Sequence, residues 1–388
     1  MQSAHRAWAE IDLAAFRRNL RRARQRAGSA AVWPVLKANA YGHGAVAIAR
    51  VCSEEKVERI GVGDSGEALQ LRHSGVQLPL LILGTIIDAE VDALLDHNIE
   101  VGVHSESRVR KLGAIARERG TQLGVHLKVD TGMGRLGVRP EAALRVACAI
   151  QEEPHLNFRG LMTHFSSSQG AHANVTDGQH ALFLAAADEI REAIGDLPPL
   201  HCANSAALFS GLNPLAHAVR PGISLFGILP SGVCPDSHLE AVLSLHTQLV
   251  FLKDVPSGTQ VGYDGRWTSH QSTRLATLPM GYNDGLPFRV GKGGRGQVLV
   301  RGQRCPIVGA VSMDYCTIDV THVQDADIGD RVTFIGQDGL EILTAADIAN
   351  AADTIPYEIT CRLGSRVKRI YRDAQDSSSS SSPLSSEA

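Results

Sequence analysis

From residue 31 to about 227, this 388-residue chain repeats one phrase eight times: a short apolar run followed by an amphipathic stretch. Runs suited to strands fall near 31–36, 58–63, 79–84, 99–103, 122–129, 158–164, 198–203 and 217–220. Helical spacing fills the gaps, as in 65–73, 89–96, 107–119, 140–152, 178–193 and 205–212. Pro140 suits a first helical turn and Gly120 a helix end. Eight strand–helix units predict a TIM-type (β/α)8 barrel, although the count alone also allows a doubly wound open sheet.

After about Pro235 the rhythm changes. Apolar and polar residues alternate in 241–251, 273–279, 296–300, 316–320 and 330–335, broken by glycine-rich turns, with one helical stretch at 344–351. The expected organisation is α/β: a barrel over 12–236, then a mostly β domain over 237–373 to which residues 1–11 add a strand. The serine-rich end, 374–388, has the composition of a disordered tail.

Charge and cysteine usage narrow the function. A net charge of −3, with no basic stripe, excludes a phosphate-backbone binder, so no nucleic-acid partner is expected. No apolar run reaches the length of a membrane span, and the first ten residues lack the core of a signal peptide. Seven scattered cysteines without C-x-x-C argue against disulfides and zinc, so no metal is expected and the compartment reads as cytoplasmic. Two glycine patterns are decoys. Gly132-x-Gly134-x-x-Gly137 lacks an acidic residue closing the next strand, as a dinucleotide site requires, and Gly291-x-Gly293-x-x-Gly296 reads as a hairpin loop. No phosphate-binding P-loop or G-x-S-x-G elbow is present.

Barrel enzymes carry their chemistry at the C-terminal ends of the strands. Those positions hold Lys37, Asp64, Lys128, Asp130, Arg135, His164, Asn204, Ser205 and Arg220, followed by Pro221-Gly222-Ile223. Only seven of the 38 cationic residues are lysine, which makes a lysine ending an apolar strand notable. A lysine amine with cations, a helix start at Ser205 and a close-approach glycine at Gly222 suits a phosphorylated aldehyde. Pyridoxal phosphate combines both groups; a phosphosugar lyase or aldolase is the other reading of these residues alone.

The stretch Val35-Leu36-Lys37-Ala38-Asn39-Ala40-Tyr41-Gly42-His43-Gly44 resembles the cofactor-lysine motif of alanine racemases. The resemblance continues, in order, through Lys128-Val129-Asp130-Thr131-Gly132-Met133-Gly134-Arg135, Thr163-His164-Phe165, Asn204-Ser205-Ala206 and Arg220-Pro221-Gly222-Ile223. It extends into Val261-Gly262-Tyr263, Gly281-Tyr282-Asn283-Asp284-Gly285, Ser312-Met313-Asp314 and Ile355-Pro356-Tyr357-Glu358, covering about residues 7–372.

The resemblance implies a pyridoxal-phosphate enzyme that racemises alanine, supplying D-alanine as a peptidoglycan precursor. It implies a homodimer in which each β domain completes the neighbour's site. Lys37 would hold the cofactor and serve as base on one face of the substrate α-carbon, and Tyr263 of the neighbouring chain would serve on the other. Two bases suit the chemistry, because one amine on one face cannot easily deliver a proton to both. Tyr41, Ser205, Gly222, Ile223 and Tyr357 would bind the phosphate, with Asn204 beside them. Arg220 would face the pyridine nitrogen, supported by His164. Arg135 and the Met313 N–H would take the substrate carboxylate, and Lys128 matches a position that can be carbamylated. Tyr282 would close the pocket mouth, and Asp314 would be a salt-bridge partner.

Several positions depart from the family pattern. Ala310 and Phe288 stand where arginine is common, Ser312 replaces a cysteine, Ser166–Gln169 replace an acidic pair, and Asp264 replaces a glycine. Charge lost at the mouth keeps a broader amino-acid racemase open, acting on serine, lysine or arginine. Amino-acid decarboxylases usually place a carboxylate where Arg220 stands. Non-catalytic cofactor carriers usually lack a second domain.

Overall fold

The structure is a computed structural model that describes residues 5–166, 173–210, 216–229, 233 and 238–373. The expected tail at 374–388, most of the Ser166–Gln169 departure and Cys234 lie outside the described residues. Contacts divide the chain into two units: Arg17–Glu240, and the segments on either side of it.

Strand β1 (Ala7–Asp12) opens the chain, and the eight strands β2 (Ala31–Val32), β3 (Ile60–Val62), β4 (Leu80–Ile82), β5 (Ile99–Val103), β6 (Leu123–Lys128), β7 (Leu156–Met162), β8 (Leu200–His201) and β9 (Ala218–Val219) follow. These eight are parallel, in the order β2-β9-β8-β7-β6-β5-β4-β3. Strands β3, β4 and β5 are buried at every position, as a sheet covered on both faces requires. The chain beyond β2 settles barrel against open sheet. Trp33 and Val35 donate their N–H groups to Val219 and Pro221 on one side. On the other side Leu36 donates to the Gly61 carbonyl at 2.8 Å, and Gly61 donates to Pro34 at 2.9 Å. That Val35–Gly61 bridge joins the two ends of the sheet into a ring.

In the second unit the strands are β10 (Leu243–Gln248), β11 (Phe251–Val255), β12 (Gln260–Val261), β13 (Trp267–Thr268), β14 (Thr273–Leu278), β15 (Gln297–Val300), β16 (Gln303–Val308), β17 (Cys316–Asp319), β18 (Arg331–Asp338), β19 (Glu341–Leu343) and β20 (Lys368–Arg372). The main sheet runs β11-β14-β17-β16-β15-β18-β10-β1-β20, with β19 on β18. Strand β1 pairs antiparallel with β10 and parallel with β20.

The loop around Gly291 is not the hairpin its glycines suggest. Strand β14 pairs with β11 and β17, whereas β15 pairs with β16 and β18. The glycines instead permit close backbone approach, since a Cβ on Gly291 would lie 2.5 Å from the Gly309 carbonyl oxygen. Among the described residues no helix is long and apolar enough to cross a membrane, and no disulfide joins the six described cysteines.

Candidate active site

Lys37 leaves the first barrel strand into an unusual turn. Ala38, Asn39, Ala40 and Tyr41 all have φ between 52° and 54°, a left-handed run without glycine. Such geometry costs on the order of 1–2 kcal/mol per residue, so the surroundings must impose it. Glu67 does much of this. One carboxylate oxygen accepts the Gly63 N–H at 2.8 Å, and the other accepts the N–H groups of Ala38 and Asn39. The Asn39 side-chain oxygen caps the following helix through the Ala45 N–H at 2.7 Å. Lys37 is therefore exposed on a fixed ledge, while Tyr41, four residues on, is buried.

Tyr41 lies against the next feature. A Cβ on Gly222 would fall 2.1 Å from the Tyr41 hydroxyl, so only glycine fits there. The Ser205 hydroxyl accepts the Gly222 N–H at 2.9 Å, and Ile223 begins the turn that follows. Asn204 caps the short helix Ser205–Phe209 by accepting the Ala207 N–H at 3.0 Å. Tyr41, Asn204, Ser205, Gly222 and Ile223 thus form one corner of the barrel rim.

A second group is cationic. Lys128 is buried, and desolvation followed by the fields of Arg220 and Arg135 pulls its amine down to about 8. Burial, then Arg220, Lys128, Lys37 and Arg135, depresses His164 to about 3, so this imidazole is neutral. Arg220 is fully buried and lowered to about 10 by desolvation, which leaves it charged at neutral pH. Its guanidinium donates to the Thr163 carbonyl at 2.7 Å, the Cys202 carbonyl at 3.2 Å and the His201 ring at 2.8 Å.

Nearby carboxylates do not neutralise this group. Asp64 caps the helix Ser65–His73 through the Glu67 N–H. Asp130 accepts the N–H groups of Gly132, Met133 and Gly134 at 2.8–3.0 Å. That loop explains the first decoy: Gly137 (φ 133°) would press a Cβ to 2.7 Å from the Asp130 nitrogen, and Val138 bridges back to Val129. The glycines shape a loop that returns on itself.

The β unit gathers the remaining candidates differently. Tyr282 and Asn283 donate N–H groups to the Ser312 and Met313 carbonyls, and Arg366 bridges Asp284 at 2.9 Å and Asp314 at 2.7 Å. A Cβ on Gly262 would lie 3.0 Å from the Ala310 nitrogen. Tyr263, Phe288, Ser312 and Met313 therefore belong to one cluster of loops, in which Tyr263 is 71% and Met313 53% exposed. Asp264 has φ 59°, a left-handed position that aspartate tolerates better than most residues, and pairs with Arg266 at 3.0 Å. Glycine, which the resemblance leads one to expect here, adopts the same backbone without strain. Tyr357, on the helix Pro356–Cys361, is half-buried, and desolvation raises its hydroxyl to about 12.

Two histidines and a glutamate escaped the rim reading: His126, His201 and Glu100, all buried inside the barrel. The signal was present. In Val125-His126-Leu127-Lys128 the period of two puts His126 on the same face as Lys128.

Comparison with known proteins identifies the family. The family model for the alanine racemase N-terminal domain matches residues 11–230, and that for the C-terminal domain matches 242–371. An alanine racemase of Halothermothrix orenii is 37% identical across 94% of this chain and 97% of its own length. The solved structure of alanine racemase from D-cycloserine-producing Streptomyces lavendulae is similar at TM-score 0.90 and 33% identity, covering 95% of this chain and 98% of that one. The Bartonella henselae alanine racemase, solved with covalently bound pyridoxal phosphate, has TM-score 0.84 and 28% identity over 94% and 99% of the two chains.

Proposed function

The chain belongs to the alanine racemase family, and from that premise we infer that it is an amino-acid isomerase interconverting L- and D-alanine. Its cofactor is pyridoxal 5'-phosphate, as in the relative solved with that group bound. The observation that carries the reading is the barrel rim: a lysine on a rigid ledge beside buried cations whose nearby carboxylates are consumed by backbone N–H groups. Such a site calls for an anion, and the corner at Gly222 has room only for backbone against the Tyr41 hydroxyl.

When bound, the cofactor supplies an aldehyde that links to amines and a ring that stabilises negative charge at the substrate α-carbon. Lys37 holds it covalently and moves the α-proton on one face. Tyr41, Asn204, Ser205, Gly222, Ile223 and Tyr357 bind the phosphate. Arg220, charged at neutral pH and held by carbonyls, would offer the ring nitrogen an N–H and disfavour a proton there, with neutral His164 beside the ring. Arg135 and the Met313 N–H orient the substrate carboxylate.

Tyr263 serves as base on the opposite face, reaching the site of a neighbouring chain in a homodimer. Its exposure on its own unit supports that assignment. Lys128, with its amine lowered to about 8, has neutral amine available to attack carbon dioxide. The amine loses one proton as the N–C bond forms, leaving a carbamate that pairs with Arg135. The chain works in the cytoplasm.

Incubation with L-alanine in deuterated water tests the reading: D-alanine carrying α-deuterium is expected, and carbon dioxide release or inertness would defeat it. Serine, lysine and arginine run alongside test a second reading, broader specificity, favoured by uncharged Ala310, Ser312 and Phe288 in the Met313 cluster. Mixed Lys37→Ala and Tyr263→Phe chains should recover activity through hybrid dimers. No recovery, with subunit exchange confirmed, would mean that each chain carries a complete site.

A further inference from the structure

A line of hydrogen bonds runs through the barrel interior away from Arg220. The Arg220 Nη1 meets His201 Nδ1 at 2.8 Å, His201 Nε2 meets His126 Nδ1 at 2.9 Å, and His126 Nε2 meets Glu100 Oε2 at 2.8 Å. All four side chains are buried. The line is built into the backbone, because a Cβ on Gly160 would lie 2.1 Å from His126 Nδ1 and 2.9 Å from His201 Nε2. Likewise a Cβ on Gly124 would press to 2.9 Å on Glu100 Cγ. Trp33 packs on the His201 ring at 4.7 Å, and Arg59 lies over Trp33 at 4.3 Å while bonding Glu100 at 3.1 Å.

The two ends decide where every proton sits. A guanidinium only donates, and an ionised carboxylate only accepts. Burial alone would raise Glu100, but His126 and Arg59 outweigh it and hold the carboxyl at about 2. His126 must therefore give its Nε2 proton to Glu100, leaving Nδ1 as an acceptor. His201 must give its Nε2 proton to His126, which leaves its own Nδ1 lone pair facing Arg220. A second proton on either ring, or a swap of tautomer, would set N–H against N–H somewhere along the line.

We propose that Glu100, His126 and His201 form a single-tautomer relay that positions Arg220 by presenting it with a lone pair, making these three positioning residues for the reaction. The proposal rests on the racemase reading for its consequence but not for its geometry. The relay fixes the orientation of Arg220 as the partner of a metal-bound histidine fixes that ring, an arrangement whose loss typically costs about 10–100-fold in activity.

The test has two arms. With 15N-histidine in the whole protein, ring 1H–15N correlations should show both histidines as neutral Nε2–H tautomers, each signal assigned by its loss in His126→Asn or His201→Asn. A proton on Nδ1 of either ring, or on both nitrogens, overturns the relay. In the loaded enzyme, His126→Phe should lower kcat by about 10–100-fold with little change in KM. His126→Asn should keep most of the rate, since its amide oxygen can stand where Nδ1 accepts. An unchanged kcat in His126→Phe, or equal losses in the two variants, overturns the positioning role. A wild-type protein that fails to racemise would overturn the functional reading instead, and the tautomers would still decide the relay.

Discussion

Among the described residues, the barrel unit buries the charged residues and histidines Arg17, His43, Arg59, Glu100, His126, Lys128, His201 and Arg220, whereas the β unit buries only His246 and Asp284. Burying a charge costs several kcal/mol unless partners replace the lost water. The barrel replaces it in part through the Glu100 line and the carbonyls around Arg220, and it brings Lys128 and Arg220 into one field with Lys37 and Arg135. The β unit buries few such groups, and its candidate residues Tyr263 and Met313 face solvent. A rim that gathers positive charge is suited to holding an anionic cofactor, and exposed loops are suited to meeting a surface.

The largest effect that tests this contrast is Lys37→Ala. Racemisation should vanish, because the covalent anchor and one base are lost together, and borohydride reduction should no longer trap cofactor on the chain. Label recovered on another lysine would move the site.

Next comes Lys128. If its amine is carbamylated, removing carbon dioxide and bicarbonate should lower the rate, and Lys128→Ala should lower it comparably while losing the bicarbonate response. A bicarbonate effect that persists in the variant would separate the two. Arg135 is the partner through which the loss should act.

Acid stability compares the units directly. His104, His126, His164 and His201 in the barrel, and His246 in the β unit, are held below the ordinary histidine value, first by desolvation in each case. The unfolded chain takes up protons near pH 6.5 that these folded rings refuse. Stability should therefore fall as pH drops from about 6.5 toward the folded values, about 3 for His164 and about 4 for His246, by up to roughly 1.4 kcal/mol per pH unit for each of these two rings. In cofactor-free protein, hydrogen exchange should show the barrel opening at higher pH than the β unit. Equal loss in both would contradict the contrast.

The smallest effects belong to Asp284 and Asp314. Asp284 is buried and bonds Arg366 and the Gly281 N–H, so Asp284→Ala should cost about 1–3 kcal/mol by chemical denaturation. Asp314→Asn touches only a half-exposed pair and should cost less than about 1 kcal/mol.

What could be read from the chain follows the same division. The barrel strands were legible because a sheet buried on both faces leaves uninterrupted apolar runs, and the helices Ser65–His73 and Pro140–Glu152 carry their own caps or an N1 proline. Strand β16 was not, because Pro306 lies within it and reads as a breaker. Strand β20 was hidden by its charge, and its partner β1 lies at the other end of the chain. The left-handed turn after Lys37 carries no glycine to announce it; Glu67, about one turn into another helix, imposes it. The rim lysines and Arg220 stood out by position, but the relay beneath them needed β5, β6 and β8 in one sheet, with glycine at Gly160 on the intervening β7.

We propose that two chains supply opposite faces of one reaction, Lys37 from the barrel of one protomer and Tyr263 from the β domain of its neighbour. Proton exchange in the Tyr263→Phe enzyme tests it most directly. Lys37 should still exchange the α-proton of one enantiomer, D-alanine, with deuterated solvent, while racemisation falls by about 10²–10⁴-fold. Equal exchange of both enantiomers, or racemisation at the wild-type rate, would contradict it and leave Lys37 as a single base with Tyr263 as a wall.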